Sequence, residues 1–273
     1  MPPTAAAPMP EMPRLRVAGH FGELVQGRLP SGEVALISLP CPALWVEAGP
    51  DLIVDHGPLL VGAARLAALC AALGLPLPVS APRLSATMPP GGGAGSSTAA
   101  LVATARALGF DGPPEAMARA CVLAEGASDP LMFPRAETLL FAPREGRVLA
   151  PLPALPRFEV LGGFLGPGLR TDPADLGFPP IGDLLDGWPG ADLDAMAARV
   201  TQSARRTLAM RGPGDDPSES LARDLGALGF VIAHTGSARG FLFAPGSVPE
   251  GGAAFLQRAG FAGILRFDAG GGT

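Results

Sequence analysis

The period of apolar positions changes several times along the chain, and each change marks an element. Residues 14–18 and 33–39 read as strands, and 42–48 alternates with Leu44 and Val46 on one face. The segment between the first two, 20–32, is predicted to be a loop, because Gly19, Gly22, Gly27 and Gly32 punctuate it. Pro58 suits the first position of a helix that reaches about Leu73 and closes on Gly74. Residues 77–87 read as a strand. An Ala-rich stretch ending at Leu108 and Gly109 reads as a helix, and Pro113-Pro114-Glu115 opens another to about Glu125.

In the second half, 137–142 and 147–152 flank Pro143-Arg144-Glu145-Gly146 and read as a hairpin. Residues 157–165 form a further strand, and the Pro-, Gly- and Asp-rich segment 166–190 is a long loop of the kind that often serves function. Leu193, Met196, Ala197, Val200, Ala204 and Leu208 recur at helical spacing and predict a helix over 192–210. Asp216-Pro217-Ser218-Glu219 starts a helix to about Leu228, and Ser247-Val248-Pro249-Glu250 starts one to Ala259. Strands are predicted at 230–233, 240–244 and 264–267. This order of elements suits an α+β architecture with helices packed on an antiparallel sheet, and a boundary near residue 150.

The composition narrows the chemistry. Of 273 residues, 48% are hydrophobic and only 16% charged, with a net charge of −5. That excludes a disordered acidic chain and argues against a general nucleic-acid binder, which should be basic. All 20 basic residues are arginine. Without lysine there is no Schiff-base catalysis through a side-chain amine and no Walker A phosphate loop. Cys41, Cys70 and Cys121 have neither zinc-site nor disulfide-framework spacing and read as reduced core thiols. Residues 1–13, rich in Pro and Ala, read as a disordered tail rather than a secretory leader. The most apolar stretch, 59–79, is interrupted by Arg65 and broken by Pro76 and Pro78, which leaves about 15 helical residues, too few to span a bilayer. A cytoplasmic protein with a small-molecule substrate is expected, with neither nucleic acid nor membrane as partner and the oligomeric state open.

One segment carries explicit chemistry. Pro89-Pro90-Gly91-Gly92-Gly93-Ala94-Gly95-Ser96-Ser97-Thr98 lies between a predicted strand and a predicted helix. Glycines let a backbone approach a ligand closely, and a helix start offers unpaired N–H groups and the positive end of a dipole. Together they suit phosphate. The three hydroxyls can cap the helix, donate to phosphate or ligate Mg²⁺.

The spacing Pro89-x-x-x-Gly93-Ala94-Gly95-Ser96-Ser97 resembles the central motif of the GHMP kinases (galactokinase, homoserine kinase, mevalonate kinase and phosphomevalonate kinase relatives), with Ala94 where Leu is usual. Gly19-His20-Phe21-Gly22-Glu23-Leu24-Val25-Gln26-Gly27 resembles the N-terminal signature of the L-threonine kinases of cobalamin synthesis, as does Ala233-His234-Thr235-Gly236 through Gly240 downstream. The resemblance covers about 14–245. It implies a two-domain GHMP kinase-like fold, with a ribosomal-S5-like ATP-binding domain at 14–150, a ferredoxin-like domain at 151–273, and the site between them. It further implies ATP and Mg²⁺ as cofactors and L-threonine as the acceptor, whose hydroxyl becomes O-phospho-L-threonine for the aminopropanol arm of cobalamin. Another GHMP kinase, acting on homoserine or an isoprenoid precursor, and a non-catalytic nucleotide sensor are the alternatives.

Phosphoryl transfer needs Mg²⁺ on the phosphates and, in many enzymes, a base for the attacking hydroxyl. Glu125 and Asp129 lie four residues apart at a helix end, in a segment resembling the Glu-Pro-Thr-Asp stretch of the related kinases but one residue longer, with Phe133 matching the Phe that follows. Glu125 and Ser97 are the expected Mg²⁺ ligands, and Asp129 the expected base or orienting carboxylate. Glu23 is the expected partner of a substrate ammonium, and His20 an accompanying substrate residue. Thr235 and Gly236 suit a backbone nest for an anion. Arg239 is the arginine nearest these motifs that could contact phosphate.

Overall fold

A computed structural model describes residues 14–168, 172, 175, 177–188, 192–234 and 236–271; the expected tail at 1–13 and Thr235 lie outside them. Two long strands open the chain, β1 (Leu15–Arg28) and β2 (Val34–Ala48), paired as a hairpin. Next come α1 (Gly57–Leu60), α2 (Ala63–Leu73) and β3 (Leu84–Ala86), then α3 (Ser96–Ala107) and α4 (Pro114–Glu125). The hairpin β4 (Leu139–Ala142) and β5 (Arg147–Pro151) follows, then β6 (Phe158–Phe164) and the short α5 (Gly182–Leu185). The chain continues through α6 (Leu193–Arg211), α7 (Ser218–Asp224), β7 (Gly229–Ile232), β8 (Ala238–Phe243), α8 (Gly252–Arg258) and β9 (Ala262–Ala269).

All nine strands join one antiparallel sheet in the order β5-β4-β2-β1-β7-β8-β6-β9, with β3 beside β2. The seam between the first and second halves of the chain is narrow: β1 meets β7 at the single pair Glu23–Ile232. Apolar packing reinforces it. Phe21, fully buried on β1, makes edge-on contacts with Phe164 of β6 and Phe267 of β9, at ring-centroid distances of 5.6 and 5.9 Å. The main core therefore runs through both halves, and a smaller cluster beneath α7 and α8 holds Leu221, Leu225, Phe241 and Leu256.

Helix α3 explains how the glycine loop is seated. Residues 98–105 of this helix are all buried, so it has no polar face. The small side chains of Ala99, Ala100, Ala103 and Ala105 allow a helix buried on every side to lie close against the sheet. Helix α6 is amphipathic as its spacing predicts, burying Met196, Ala197, Val200 and Ala204, and Asp192 caps its start by accepting the Ala195 N–H at 3.0 Å.

Several expectations need correction. Residues 20–28 form the second half of β1 rather than a loop. The glycines there serve close approaches and a bulge instead of a turn. The helix expected over 58–73 breaks at Val61-Gly62 into α1 and α2. Only Leu84–Ala86 of the expected 77–87 strand pairs, because only three residues find partners on β2. Helix α7 ends at Asp224, four residues early, as Gly226 turns left-handed at φ +67°. All three cysteines are buried and unpaired. Among the described residues no helix is long and apolar enough to cross a membrane.

Candidate active site

A cavity of about 400 Å³ opens where the glycine loop, β1, the end of α4 and the β4–β5 turn converge. Pro90, Gly91, Gly93, Ala94, Gly95 and Ser96 line it, along with Ser97 and Thr98. Gly91, Gly93 and Gly95 adopt φ of 74°, 75° and 73°, a left-handed backbone that side chains disfavour. At Gly95, the residue that starts α3, a Cβ would also fall 2.5 Å from the His20 ring.

The loop is clamped from two sides. The N–H groups of His20 and Gly22 donate to the carbonyls of Ala94 and Gly93 at 3.1 and 3.3 Å, and those of Ser237 and Ala238 donate to Gly92 at 3.1 and 2.9 Å. The Gly92 N–H closes a turn onto the Pro89 carbonyl at 3.1 Å, while the N–H groups of 93–98, ahead of the first intrahelical bond of α3, are those a helix start leaves for a ligand. Pro89 and Gly92 do not line the cavity and act as framework. Gly236, expected in a backbone nest, lies against the glycine loop. At φ +118° it packs so tightly on the loop that a Cβ would sit 2.5 Å from the Gly93 nitrogen.

At one end of the cavity Ser97, Glu125 and Arg65 form a closed cluster. Ser97 Oγ donates a short hydrogen bond to Glu125 Oε2, and Arg65 Nη1 donates to both, at 2.8 Å to Ser97 and 3.3 Å to Glu125. Burial raises the Glu125 pKa above the ordinary carboxylate range, against the Ser97 hydrogen bond and the Arg65 charge. The hydroxyl and the carboxylate form an all-oxygen donor set beside the glycine loop, of the chemistry that Mg²⁺ takes. Thr98 points elsewhere than expected. Its hydroxyl donates to Glu125 Oε1 at 3.3 Å and accepts the Asp129 N–H at 3.2 Å, tying the turn between the two acids to α3.

Next to this cluster lie His20, Glu23 and Asp129. His20 Nε2 is 3.4 Å from Asp129 Oδ2; Nδ1 is 3.1 Å from the Gly22 carbonyl and 3.6 Å from Glu23 Oε1. The near neighbours of both ring nitrogens are oxygens, surroundings that favour the protonated ring. Burial alone would lower the His20 pKa, but the charges of Asp129 and Glu23 outweigh it and lift it to about 9. Asp129 shows the converse. Burial pushes it up, yet the His20 charge and hydrogen bond hold it below the ordinary aspartate value. Glu23, more deeply buried, rises to about 7 despite His20. One ligand atom from each of His20, Glu23 and Asp129 lies within 4.8 Å of the others, close enough to gather round a metal ion.

The pairing of His20 with Glu23 has a backbone cause. Three residues apart on a regular strand, they would face opposite ways. Gly22, at φ +74°, and a register shift between His20 and Glu23 form a bulge that turns Glu23 to His20's side, while Phe21 and Leu24 enter the core.

The far end of the cavity holds residues that the sequence did not single out for function: Arg144, from the β4–β5 turn, and Phe178. Phe178 stacks on His234 with centroids 4.1 Å apart and planes 8° apart. Burial and the charges of Arg211 and Arg144 depress the His234 pKa to about 3, so this ring is neutral. Its backbone N–H donates to Glu23 Oε2 at 3.3 Å. Arg239 takes no part in the cavity. It is buried in an ion pair with Asp216 at 3.0 Å and bonds the carbonyls of Gly236 and Ala238.

No protein-family model matches the chain, and no curated protein sequence does. Solved structures do resemble it. A homoserine kinase candidate from Listeria monocytogenes superposes with a TM-score of 0.61 at 16% identity, covering 94% of this chain and 96% of that one. Homoserine kinase from Cytophaga hutchinsonii gives 0.57 at 15% identity over 97% of each chain. Streptococcus pneumoniae phosphomevalonate kinase gives 0.58 at 12% identity, over 95% of this chain and 99% of that one. Likeness at such low identity, extending over nearly the whole of each chain, establishes architecture: the chain has the GHMP-kinase fold.

Proposed function

We propose that this protein is a Mg²⁺-ATP-dependent kinase of small hydroxyl acceptors, with L-threonine as the acceptor. One observation carries the reading: Ser97, Glu125 and Asp129 converge in a single cavity at the start of α3, beside a glycine loop whose carbonyls at 92–94 are held by neighbouring strands.

The N–H groups of 93–97 hold the phosphates, with Arg65 within reach as a side-chain cation. Ser97 and Glu125 would hold Mg²⁺, which neutralises charge on the phosphates when bound. Asp129 then faces the acceptor. His20 keeps it anionic, so it can accept the hydroxyl proton or fix the hydroxyl in line with the terminal phosphate. Glu23 supplies counter-charge for an ammonium, and Gln26, whose buried Oε1 has no partner, adds an acceptor beside it. That pairing favours an amino-alcohol acid such as threonine over mevalonate, which has no nitrogen.

An ATP-consumption screen over threonine, serine, homoserine and mevalonate tests the reading. Turnover with threonine at the highest kcat/KM supports it. Preference for another acceptor overturns the threonine assignment, and nucleotide binding without turnover on any acceptor overturns the kinase assignment.

A further inference from the structure

Many of the described arginines pair with carboxylates, among them Arg65, Arg147, Arg205, Arg206, Arg211, Arg239 and Arg266. Arg144 lines the cavity without an ion pair among the described residues, and two of its donors, Nε and Nη1, are buried without any hydrogen-bond partner. Only Nη2 is used, donating to the carbonyls of Asp172 and Asp175 at 3.3 and 3.1 Å. Those two bonds aim the guanidinium without neutralising it. The nearby Asp175 carboxylate is already bound to Arg211 at 2.5 Å.

A buried donor left unpaired costs about 1–3 kcal/mol, and more when charged. A guanidinium N–H without a partner can be met by a carboxylate oxygen in a charge-assisted hydrogen bond. The surroundings point the same way. Phe178 lies 5.9 Å from the Arg144 guanidinium carbon and 5.1 Å from that of Arg211, and it stacks on His234, whose ring nitrogens are also buried without partners. Arg144, a neutral imidazole and an aromatic plate form this wall, with the carboxylates of Asp172, Asp175 and Glu145 near the guanidinium and Asp175 held by Arg211. It stands in the same cavity as Glu23, Gln26 and Asp129.

We infer that Arg144, with His234 beside it, is the subsite that seats the carboxylate of the acceptor, and that the protein selects small hydroxy acids over neutral alcohols through it. This rests on the kinase reading of the cavity but not on threonine itself. The two ends of an amino acid would be recognised separately, the ammonium by Glu23 and the carboxylate by Arg144, leaving the hydroxyl to Asp129.

The experiment compares L-threonine with L-threoninamide, which replaces the carboxylate by a neutral amide, in the wild type, R144Q and R144K. A thermal melt of each variant verifies folding; the side chain lies in a hairpin turn, so both should fold. Wild type should prefer threonine by roughly 10²-fold in kcat/KM, because losing one partner of a buried charged pair typically costs that much. In R144Q the preference should collapse to a few-fold through a raised acceptor KM, with the KM for ATP unchanged, and R144K should recover part of it. A preference unchanged in R144Q overturns the inference, and so does a rise in the KM for ATP instead, which would assign Arg144 to the nucleotide. If threonine is not a substrate, the same comparison is run on the screened acceptor that turns over. Collapse there supports the subsite while rejecting threonine. Turnover of neutral alcohols alone overturns the subsite and leaves the kinase reading standing. If nothing turns over, calorimetry of the same acids with a non-hydrolysable ATP analogue decides: no acid bound, or equal binding to wild type and R144Q, overturns the subsite.

Discussion

The two ends of the cavity are built on opposite principles. At the Ser97–Glu125 end every polar group has a partner: hydroxyl, carboxylate and guanidinium close on one another, and Thr98 holds the second carboxylate oxygen. At the Arg144–His234 end, donors and ring nitrogens are buried and unmatched. The first end is internally neutral and must be opened before a cation can take its place. The second keeps unmatched donors beside the carboxylates of Asp172, Asp175 and Glu145, and a ligand proposed to bind there would add hydrogen bonds. A satisfied cluster resists change, while an unsatisfied one is set up to bind. His20, Glu23 and Asp129 lie between them, one cation against two carboxylates, with Asp129 kept charged by a neighbour rather than by water.

The largest effect is expected at this midpoint. Asp129→Asn keeps the shape and removes the charge that faces the acceptor, so kcat should fall by about 10²-fold or more while ATP affinity stays level. Single-turnover rates and calorimetry check it. A loss confined to acceptor KM, with kcat intact, would recast Asp129 as a uniform binding group and shift the chemistry toward the Ser97 end.

The closed end comes next. Ser97→Ala and Glu125→Gln should each lower turnover by about 10²-fold, the scale expected when one ligand to a catalytic Mg²⁺ is lost. The defect should be partly offset by raising Mg²⁺, which a titration at fixed ATP would show. Normal turnover at ordinary Mg²⁺ would place the metal elsewhere.

A pH series then sharpens the contrast between the middle and the far end. Glu23 has its pKa raised to about 7, so it is ionised above that value and protonated below it. Acceptor KM should therefore climb as pH drops through about 7, by up to about tenfold per unit, because the ammonium loses its counter-charge. Glu23→Gln should raise KM throughout and flatten that slope. A slope that survives in the variant assigns the titration to another group.

The smallest effect concerns Arg65. Its pair with Glu125 is partly solvated, and such pairs contribute on the order of 1 kcal/mol or less. If Arg65 merely competes with the metal, Arg65→Ala should lower the Mg²⁺ concentration for half-maximal rate by up to about fivefold. A rise in the KM for ATP instead would show that the guanidinium moves on to the phosphates.

Residues whose chemistry depends on composition were legible in the sequence. Gly91, Gly93 and Gly95 stand out because few sequences can take repeated positive φ, and Ser97 because a helix must start there. The helical spacing of Met196, Ala197 and Val200 gave α6 for the same local reason. Residues whose role depends on backbone irregularity or on distant pairing were not legible. His20 and Glu23 were singled out separately, but nothing in a period of two puts them side by side, since only the bulge at Gly22 does so. The same glycines made the second half of β1 read as a loop, because a strand needing close approach at Gly19 and Gly27 looks like a turn in one dimension. Arg144 sits in a hairpin turn, where a charge ordinarily faces solvent, and Arg65 showed only as an interruption in an apolar run. Arg239 failed in the other direction: beside a motif in sequence, it is locked to Asp216 in space.

The seam of the sheet has a consequence for measurement. Glu23 is both the β1 residue paired across to Ile232 and, through its side chain, the acceptor of the His234 amide proton. That proton is thus held by a group proposed to bind ligand. When an ammonium engages the carboxylate, the charge accepting the proton is shared, and the amide's chemical shift and its exchange rate with solvent deuterium should both respond. One backbone amide would then serve as a native reporter of acceptor occupancy, readable without turnover, without a label on the ligand and in the presence or absence of nucleotide.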